Sequence, residues 1–274
     1  MSGYFASDTT SCLSIRPYRP DDLPQALRLV RADQLPGEAP APGLPSTPLA
    51  GRADTVTLTG ANHIVHGVMC LSVRDASNIG LIHWLHTGED FDAASTLLTF
   101  ARSHLGQRTL QAFTSPASLA DVPGLPMQHR HVTARALAVN GFTPAGAQVF
   151  LLRSLSSVPE MPEEPVADVM LLSNPPGWRL TISVNGAATA TAVVRQPDPR
   201  SGTALLWHLD VYPAYRRMGF GQQLLAQCMY VAAASGARQI AAYSDQDDGL
   251  IQRFLRSHGF NAIDRLAVYR RRSN

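Results

Sequence analysis

The segment with the clearest chemistry in this 274-residue chain is Leu205–Leu225, LLWHLDVYPAYRRMGFGQQLL. An apolar strand ends at Val211, Pro213 begins a turn, and Arg216-Arg217-Met218-Gly219-Phe220-Gly221 leads into a helix. A loop that opens a helix presents successive backbone N–H groups with no acceptor inside the helix. The helix dipole adds positive potential at the same end. Gly219 and Gly221 carry no side chains, so a pyrophosphate can approach the backbone closely. Arg216 and Arg217 add charge, and at least one of them is expected on phosphate. The cradle runs over Arg217, Met218, Gly219, Phe220, Gly221 and Gln222.

Composition removes several other chemistries. All 23 basic residues are arginine. Without lysine there is no lysine base, Schiff base or phosphate-loop lysine. Codon bias is the simplest source of that composition. The net charge of +2 gives no basic field that would argue for nucleic acid. Cys12, Cys70 and Cys228 are far apart and form no CxxC pair, which fits a reducing compartment rather than a disulfide framework. The N-terminus lacks the regions of a signal peptide, and no apolar run is long enough to span a membrane, so a soluble cytoplasmic protein is expected. His63-x-x-His66 and His83-x-x-His86 have metal-like spacing but fall on strands, where residues three apart point to opposite faces. No metal site is expected. His129-Arg130-His131 reads as a solvated loop, Arg270-Arg271-Arg272 as a solvated charge run, and Cys228 as core.

The elements that position the loop follow from punctuation and periodicity. A proline-rich stretch at 35–48 excludes regular helix or central strand. A second, SSVPEMPEEP at 156–165, reads as a linker that divides the chain into about 155 and 109 residues. The parts echo each other. Arg135-ALAVN-Gly141-Phe142 matches Arg253-FLRSH-Gly259-Phe260, and each Gly-Phe leads into a strand ending eleven residues on, at Arg153 and Arg271. Each part carries paired apolar runs, the second joined by Asn185-Gly186, a type I′ hairpin signal. Each then has a Trp-containing strand and an amphipathic helix, with Ala94, Leu97, Leu98, Ala101 and Leu105 on one face in the first. Leu224, Leu225, Cys228, Val231 and Ala232 do the same in the second. Each part therefore reads strand–strand–strand–helix–strand–helix–strand, a duplicated α/β or α+β unit. A leading strand, LSIRPY, and a helix over Asp21–Asp33 precede the first copy, with Asp21 or Asp22 as its cap.

The Arg216-x-x-Gly219-x-Gly221 motif, after a V-Y-P-A-Y strand end and before an amphipathic helix, resembles the signature of the GNAT N-acetyltransferase superfamily. The closing RFLRSHGFNAIDRLAVYRR is similar to that family's last helix and strand. The likeness covers residues 166–272 well and 13–155 by layout. It implies two tandem GNAT-like folds, each a mixed, mostly antiparallel sheet flanked by helices. The N-terminal domain (13–155) is then a degenerate copy without a CoA site, because Gly88-Glu89-Asp90-Phe91-Asp92 brings carboxylates and no arginine. By the same resemblance the C-terminal domain (166–272) carries the acyl-CoA site and lacks the family's leading strand and helices. By resemblance the backbone of Leu209, Asp210 and Val211 pairs with the pantetheine arm, and Asp248 stands where the family often has an asparagine near it.

The family's usual acid–base groups are absent. The expected Glu or His positions hold Leu205 and Trp207, and the expected Tyr position holds Leu255. His208 lies on the right strand, though strict alternation puts it opposite Trp207 and Leu209 and so away from the cleft. Its imidazole is the residue type that changes charge near neutrality. Tyr243, on the next strand, is the second catalytic candidate. The reading is an acyl-CoA-dependent N-acyltransferase. It takes acetyl-CoA or another short acyl-CoA and passes the acyl group by direct attack to a small-molecule amine, with no nucleic-acid or membrane partner. The alternatives are a non-catalytic acyl-CoA-binding module and an acyltransferase acting on a protein or peptide amine.

Overall fold

The computed structural model describes residues 13–35, 44, 53–114, 123–157 and 165–272. Nearly all of the two proline-rich stretches lies outside them. The first half runs β1 (Ser14–Pro17), α1 (Leu23–Ala32), β2 (Ala53–Thr59), β3 (Val65–Arg74), β4 (Ile79–His86), α2 (Phe91–Leu105), β5 (Thr109–Ala112), the two-residue β6 (Leu125–Pro126), α3 (His131–Val139) and β7 (Thr143–Ser154). The second half runs β8 (Asp168–Ser173), β9 (Pro176–Val184), β10 (Ala187–Arg195), β11 (Thr203–Val211), α4 (Phe220–Ala234), β12 (Gln239–Asp245), α5 (Gly249–Ser257) and β13 (Asn261–Arg271). All strands join one sheet in the order β1-β2-β3-β4-β5-β13-β7-β12-β11-β10-β9-β8, with β6 beside β13. The pairing is antiparallel except for β4 with β5 and β11 with β12. Parallel neighbours need a crossover, and α2 and α4 supply it.

Local chemistry explains the elements that frame the site. Asn185 and Gly186 take φ of 50° and 78°, the left-handed pair that a type I′ turn requires. Helix α2 starts at Asp90, whose carboxylate accepts the Ala93 N–H at 2.9 Å. Asp22 does not cap α1 with its side chain. It accepts the Arg19 N–H at 2.8 Å and both Nη of Arg16 at 2.7 and 2.8 Å, which fixes the short turn before the helix. The second half does have a leading strand, β8, which the sequence reading did not find. Among the described residues no helix separates β8 from β9.

The closing strands are exchanged between the halves. Strand β7 leaves the first half and pairs with β12, from Gln239 with Ser154 to Asp245 with Gln148. Strand β13 crosses back to pair with β5, and β7 and β13 pair with each other at the sheet's centre. The cores follow the exchange. Ala267 and Tyr269 pack with Leu97, Leu110 and Phe142, whereas Val149 and Leu151 pack with Leu224, Ile240 and Phe260. The repeated Arg and Gly-Phe gain a physical meaning here. Gly141 and Gly259 both have φ of 82° after their helices. Arg271 lies over Gly141, and Arg153 over Gly259, each with Nε 3.4 Å from where a Cβ would stand. Each strand-end arginine thus seats on the other half's turn.

Both halves also share a bulge. In β11, Val193 pairs with His208 and Val194 with Leu206, so Trp207 is the extra residue. In β4, Cys70 pairs with Trp84 and Leu71 with Ile82, so His83 is extra at the equivalent step. Two copies of one irregularity support the duplication.

Candidate active site

Strands β11 and β12 pair only over Thr203–Leu206 and Gln239–Ala242. Beyond that point β11 stays with β10 as far as Val211, and β12 stays with β7 as far as Asp245. The two strands are pulled apart by their outer neighbours. Past Leu206 and Ala242 the two strands no longer pair with each other. The gap is a cavity of about 370 Å³. His208, Leu209, Tyr243, Ser244 and Asp248 line it, together with Gln148 from the first half's closing strand.

The bulge at Trp207 leaves His208 opposite Leu209, as alternation has it, but brings Leu209 onto the face of Leu206. Leu206, Leu209 and Val211 all pack toward the α4 core, which alternation without a bulge would forbid. His208 therefore takes the opposite face, with Leu205 and Tyr243. It lines the cavity with them rather than turning away. Tyr243 stacks on Phe150 at 5.1 Å between ring centroids. Leu205 and Leu255 are buried, and Trp207 lies half-exposed with the Arg195 guanidinium over its ring at 5.0 Å. None of the three can take a proton.

The glycine loop follows the end of β11 and leads into α4. Gly219 is the N-cap of α4 with φ of 87°, and no side chain caps it. The first internal bond of the helix runs from the Gln223 N–H to the Gly219 carbonyl at 3.1 Å. The N–H groups of Phe220, Gly221 and Gln222 therefore have no acceptor within the helix. No acidic residue occupies the first turn. A Cβ on Gly221 would lie 3.4 Å from Val211 Cγ2, so the helix start packs closely on the strand end. Arg216 turns back to donate to the Val211 carbonyl at 2.9 Å and pairs with Asp210 at 3.5 Å. It ties the loop to the strand. Arg217, with φ of 63°, and Met218 are exposed beside the open helix end. Asp248 caps α5, accepting the Ile251 N–H at 3.0 Å.

The matching cleft of the first half is filled. Strands β4 and β5 pair over Ile79–Ile82 and Thr109–Ala112 and then stop in the same way. Into the space beyond comes Arg130, which the sequence reading assigned to a solvated loop and which is 2% exposed. Its Nη2 donates to the Leu85 carbonyl at 2.9 Å, on the strand position that matches Leu209. It also pairs with Asp33 at 2.9 Å and Glu89 at 3.4 Å, and its guanidinium lies 5.9 Å from the centre of the Phe113 ring. Glu89 accepts the Val132 and Thr133 N–H groups at the start of α3, and Asp90 caps α2. Burial pushes the Asp33 carboxyl up, but the His86 hydrogen bond and the Arg130 charge outweigh it and hold it below its usual value. Burial holds His86 below the ordinary histidine value, against the pull of Asp33. The histidines of the metal-like spacing have separate partners, His83 on Ser72 at 2.8 Å and His86 on Asp33 at 3.0 Å. Nothing in the His-Arg-His string distinguished a plug from a loop.

Residues 150–260 match the family model described as acetyltransferase (GNAT) family. Among solved structures, a tandem GNAT protein from the clavulanic acid biosynthesis pathway is 16% identical, with a TM-score of 0.63 over 96% of this chain and 99% of that one. A GCN5-related N-acetyltransferase from Sphaerobacter thermophilus is 14% identical, with a TM-score of 0.61 over 94% and 95% of the two chains. A GNAT-family acetyltransferase from Colwellia psychrerythraea is 15% identical, with a TM-score of 0.56 over 94% and 98%. Identities this low carry the fold alone, two GNAT units in tandem. No curated protein matches by sequence.

Proposed function

Because residues 150–260 match the GNAT acetyltransferase family model and the chain folds like a tandem GNAT protein, we propose that the protein is an acyl-CoA-dependent N-acyltransferase with one working site, in the second half. The observation that carries this reading is the junction of an uncapped helix start with a strand edge that no longer pairs with β12. The bare N–H groups of Phe220, Gly221 and Gln222 suit a pyrophosphate. The backbone of Leu209, Asp210 and Val211 suits an amide-bearing arm such as pantetheine. Acetyl-CoA, or another short acyl-CoA, supplies an acyl group activated as a thioester. Arg217 is the side chain we assign to phosphate, and Arg216 holds the loop. Met218 and Gly219 complete the cradle, and Asp248 serves through its hold on α5.

In the first half the equivalent helix start and strand edge are already satisfied by Asp90 and Arg130. We read that copy as structural. The acceptor amine enters the cavity on the face of His208 and Tyr243. His208 accepts the proton released as the amine becomes an amide, and Tyr243 borders the reacting carbonyl. A cavity of about 370 Å³ suits a small amine better than a folded protein surface. No helix among the described residues is long and apolar enough to cross a membrane. The free, buried thiols of Cys70 and Cys228 accord with a reducing, cytoplasmic setting.

The apolar residues at 205, 207 and 255 favour one rival, a module that binds acyl-CoA without turning it over. The protein incubated with acetyl-CoA and a panel of small amines, with release of free thiol followed, separates the two. Turnover that falls in both His208→Ala and Tyr243→Phe supports the enzyme. Tight CoA binding without turnover across the panel supports the module.

A further inference from the structure

Two polar groups in the cavity have no work in the folded protein. Ser244 is 7% exposed, and its hydroxyl is enclosed without a hydrogen-bond partner. The side-chain carbonyl oxygen of Gln148 is likewise enclosed and unpartnered. Both residues line the gap between β11 and β12. A buried polar group left unpaired costs about 1–3 kcal/mol, so such groups require a reason. They lie on opposite faces of the sheet. Ser244 alternates with Ala242 and Ile240, which pack in the α4 core. Gln148 alternates with Phe150, which packs with Leu205 and Tyr243. The loop and α4 stand on the Ser244 side, and His208 stands on the Gln148 side.

We propose that these two groups serve the two ends of the acyl transfer, the Ser244 hydroxyl donating a hydrogen bond to the departing sulfur and the Gln148 carbonyl accepting an N–H of the incoming amine. The inference rests on the acyltransferase reading above. The amine lone pair forms the new C–N bond at the thioester carbon, and the C–S bond breaks with its electron pair going to sulfur. His208 takes the proton lost from nitrogen, and the sulfur takes one from solvent, so an amide and a free thiol result. Ser244 stabilises the developing thiolate without giving up its proton. This fills the place left by Leu255, on the same cavity. Gln148 lies on β7, so the strand exchange delivers a residue of the first half to the working site of the second.

The test compares wild type, Ser244→Ala and Gln148→Ala. Calorimetric binding of CoA and of CoA lacking its sulfur is measured alongside an ultraviolet titration of the bound thiol. In Ser244→Ala the bound thiol should titrate at higher pH, turnover should fall roughly 10- to 100-fold, and affinity for the sulfur-free analogue should hold. Its melting temperature should not fall, because the hydroxyl it removes bonds to nothing. In Gln148→Ala the KM for the best amine of the panel should rise about tenfold while CoA affinity holds. An unchanged thiol titration in Ser244→Ala, or an unchanged amine KM in Gln148→Ala, overturns the assignment of that residue. Failure of wild type to bind either ligand overturns the acyl-CoA reading itself, and the two failures are thereby told apart.

Discussion

Replacing Arg130 with alanine should destabilise the protein far more than any substitution of a surface arginine. The Arg130 and Asp33 side chains are 3% and 0% exposed and lie 2.9 Å apart. Alanine at 130 also strips the Leu85 carbonyl of its donor and leaves Glu89 without its cation. Removing one member of a buried pair costs about 3–5 kcal/mol, because the other charge stays buried and uncompensated. Against a total stability of about 5–15 kcal/mol that is a large fraction. The Asp210–Arg216 pair is the internal control. At 3.5 Å, with side chains 46% and 59% exposed, it contributes about 0–1 kcal/mol. Urea unfolding followed by tryptophan fluorescence reads both, since Trp84 is buried beside His86. Asp33→Asn in the Arg130→Ala background should recover part of the loss by removing the stranded charge. A cost below about 1 kcal/mol for Arg130→Ala would refute the view that this arginine is a buried plug.

Gly219→Ala meets no atom within 4 Å but must hold φ of 87°, so it should cost about 1–2 kcal/mol through the backbone alone and weaken CoA binding. Gly177→Ala places a Cβ 2.4 Å from the Val194 carbonyl oxygen, so β9 must shift off β10. Thermal melting should show a loss larger than that of Gly219→Ala. Stability should also fall as pH drops below the ordinary histidine value of about 6.5. His86 and His83 are held neutral in the fold, so the unfolded chain takes up more protons there. Asp33, held low, adds a further loss only in stronger acid, as pH falls through its folded value. Melting curves between pH 7.5 and 5 check the first window, and His86→Gln should flatten it.

The loop was legible because its chemistry is local. Two glycines, an arginine pair and the start of an apolar helix are contiguous, and Gly219 takes the left-handed backbone that such a start uses. The duplication was legible for a similar reason, since Arg153 and Arg271 fall at the same offset from each Gly-Phe. Their partners were not, because a strand's periodicity says which face is buried and nothing about which strand lies beside it. The exchange of β7 and β13 leaves every local pattern intact. The bulge at Trp207, which puts Leu209 on the face of Leu206, was not legible, since Trp at that position gives no sign of it; His208 stays opposite Leu209, and both faces border the gap. The local roles of Asp248, which caps α5 and lines the gap, and of Arg216, which braces the strand end, carry no sequence signal. In both, a short polar side chain or a guanidinium satisfied its nearest backbone groups. Arg130 escaped notice because its partners, Asp33, Leu85 and Glu89, are up to about a hundred residues away in sequence.

Calorimetric titration of the full chain with CoA tests the central claim, that one open cleft in the second half does the binding while Arg130 and Asp90 close the other. The account predicts one CoA per chain, and no binding once Gly221→Glu puts a carboxylate at the bare start of α4. Two CoA per chain, or an affinity untouched by Gly221→Glu, would contradict it.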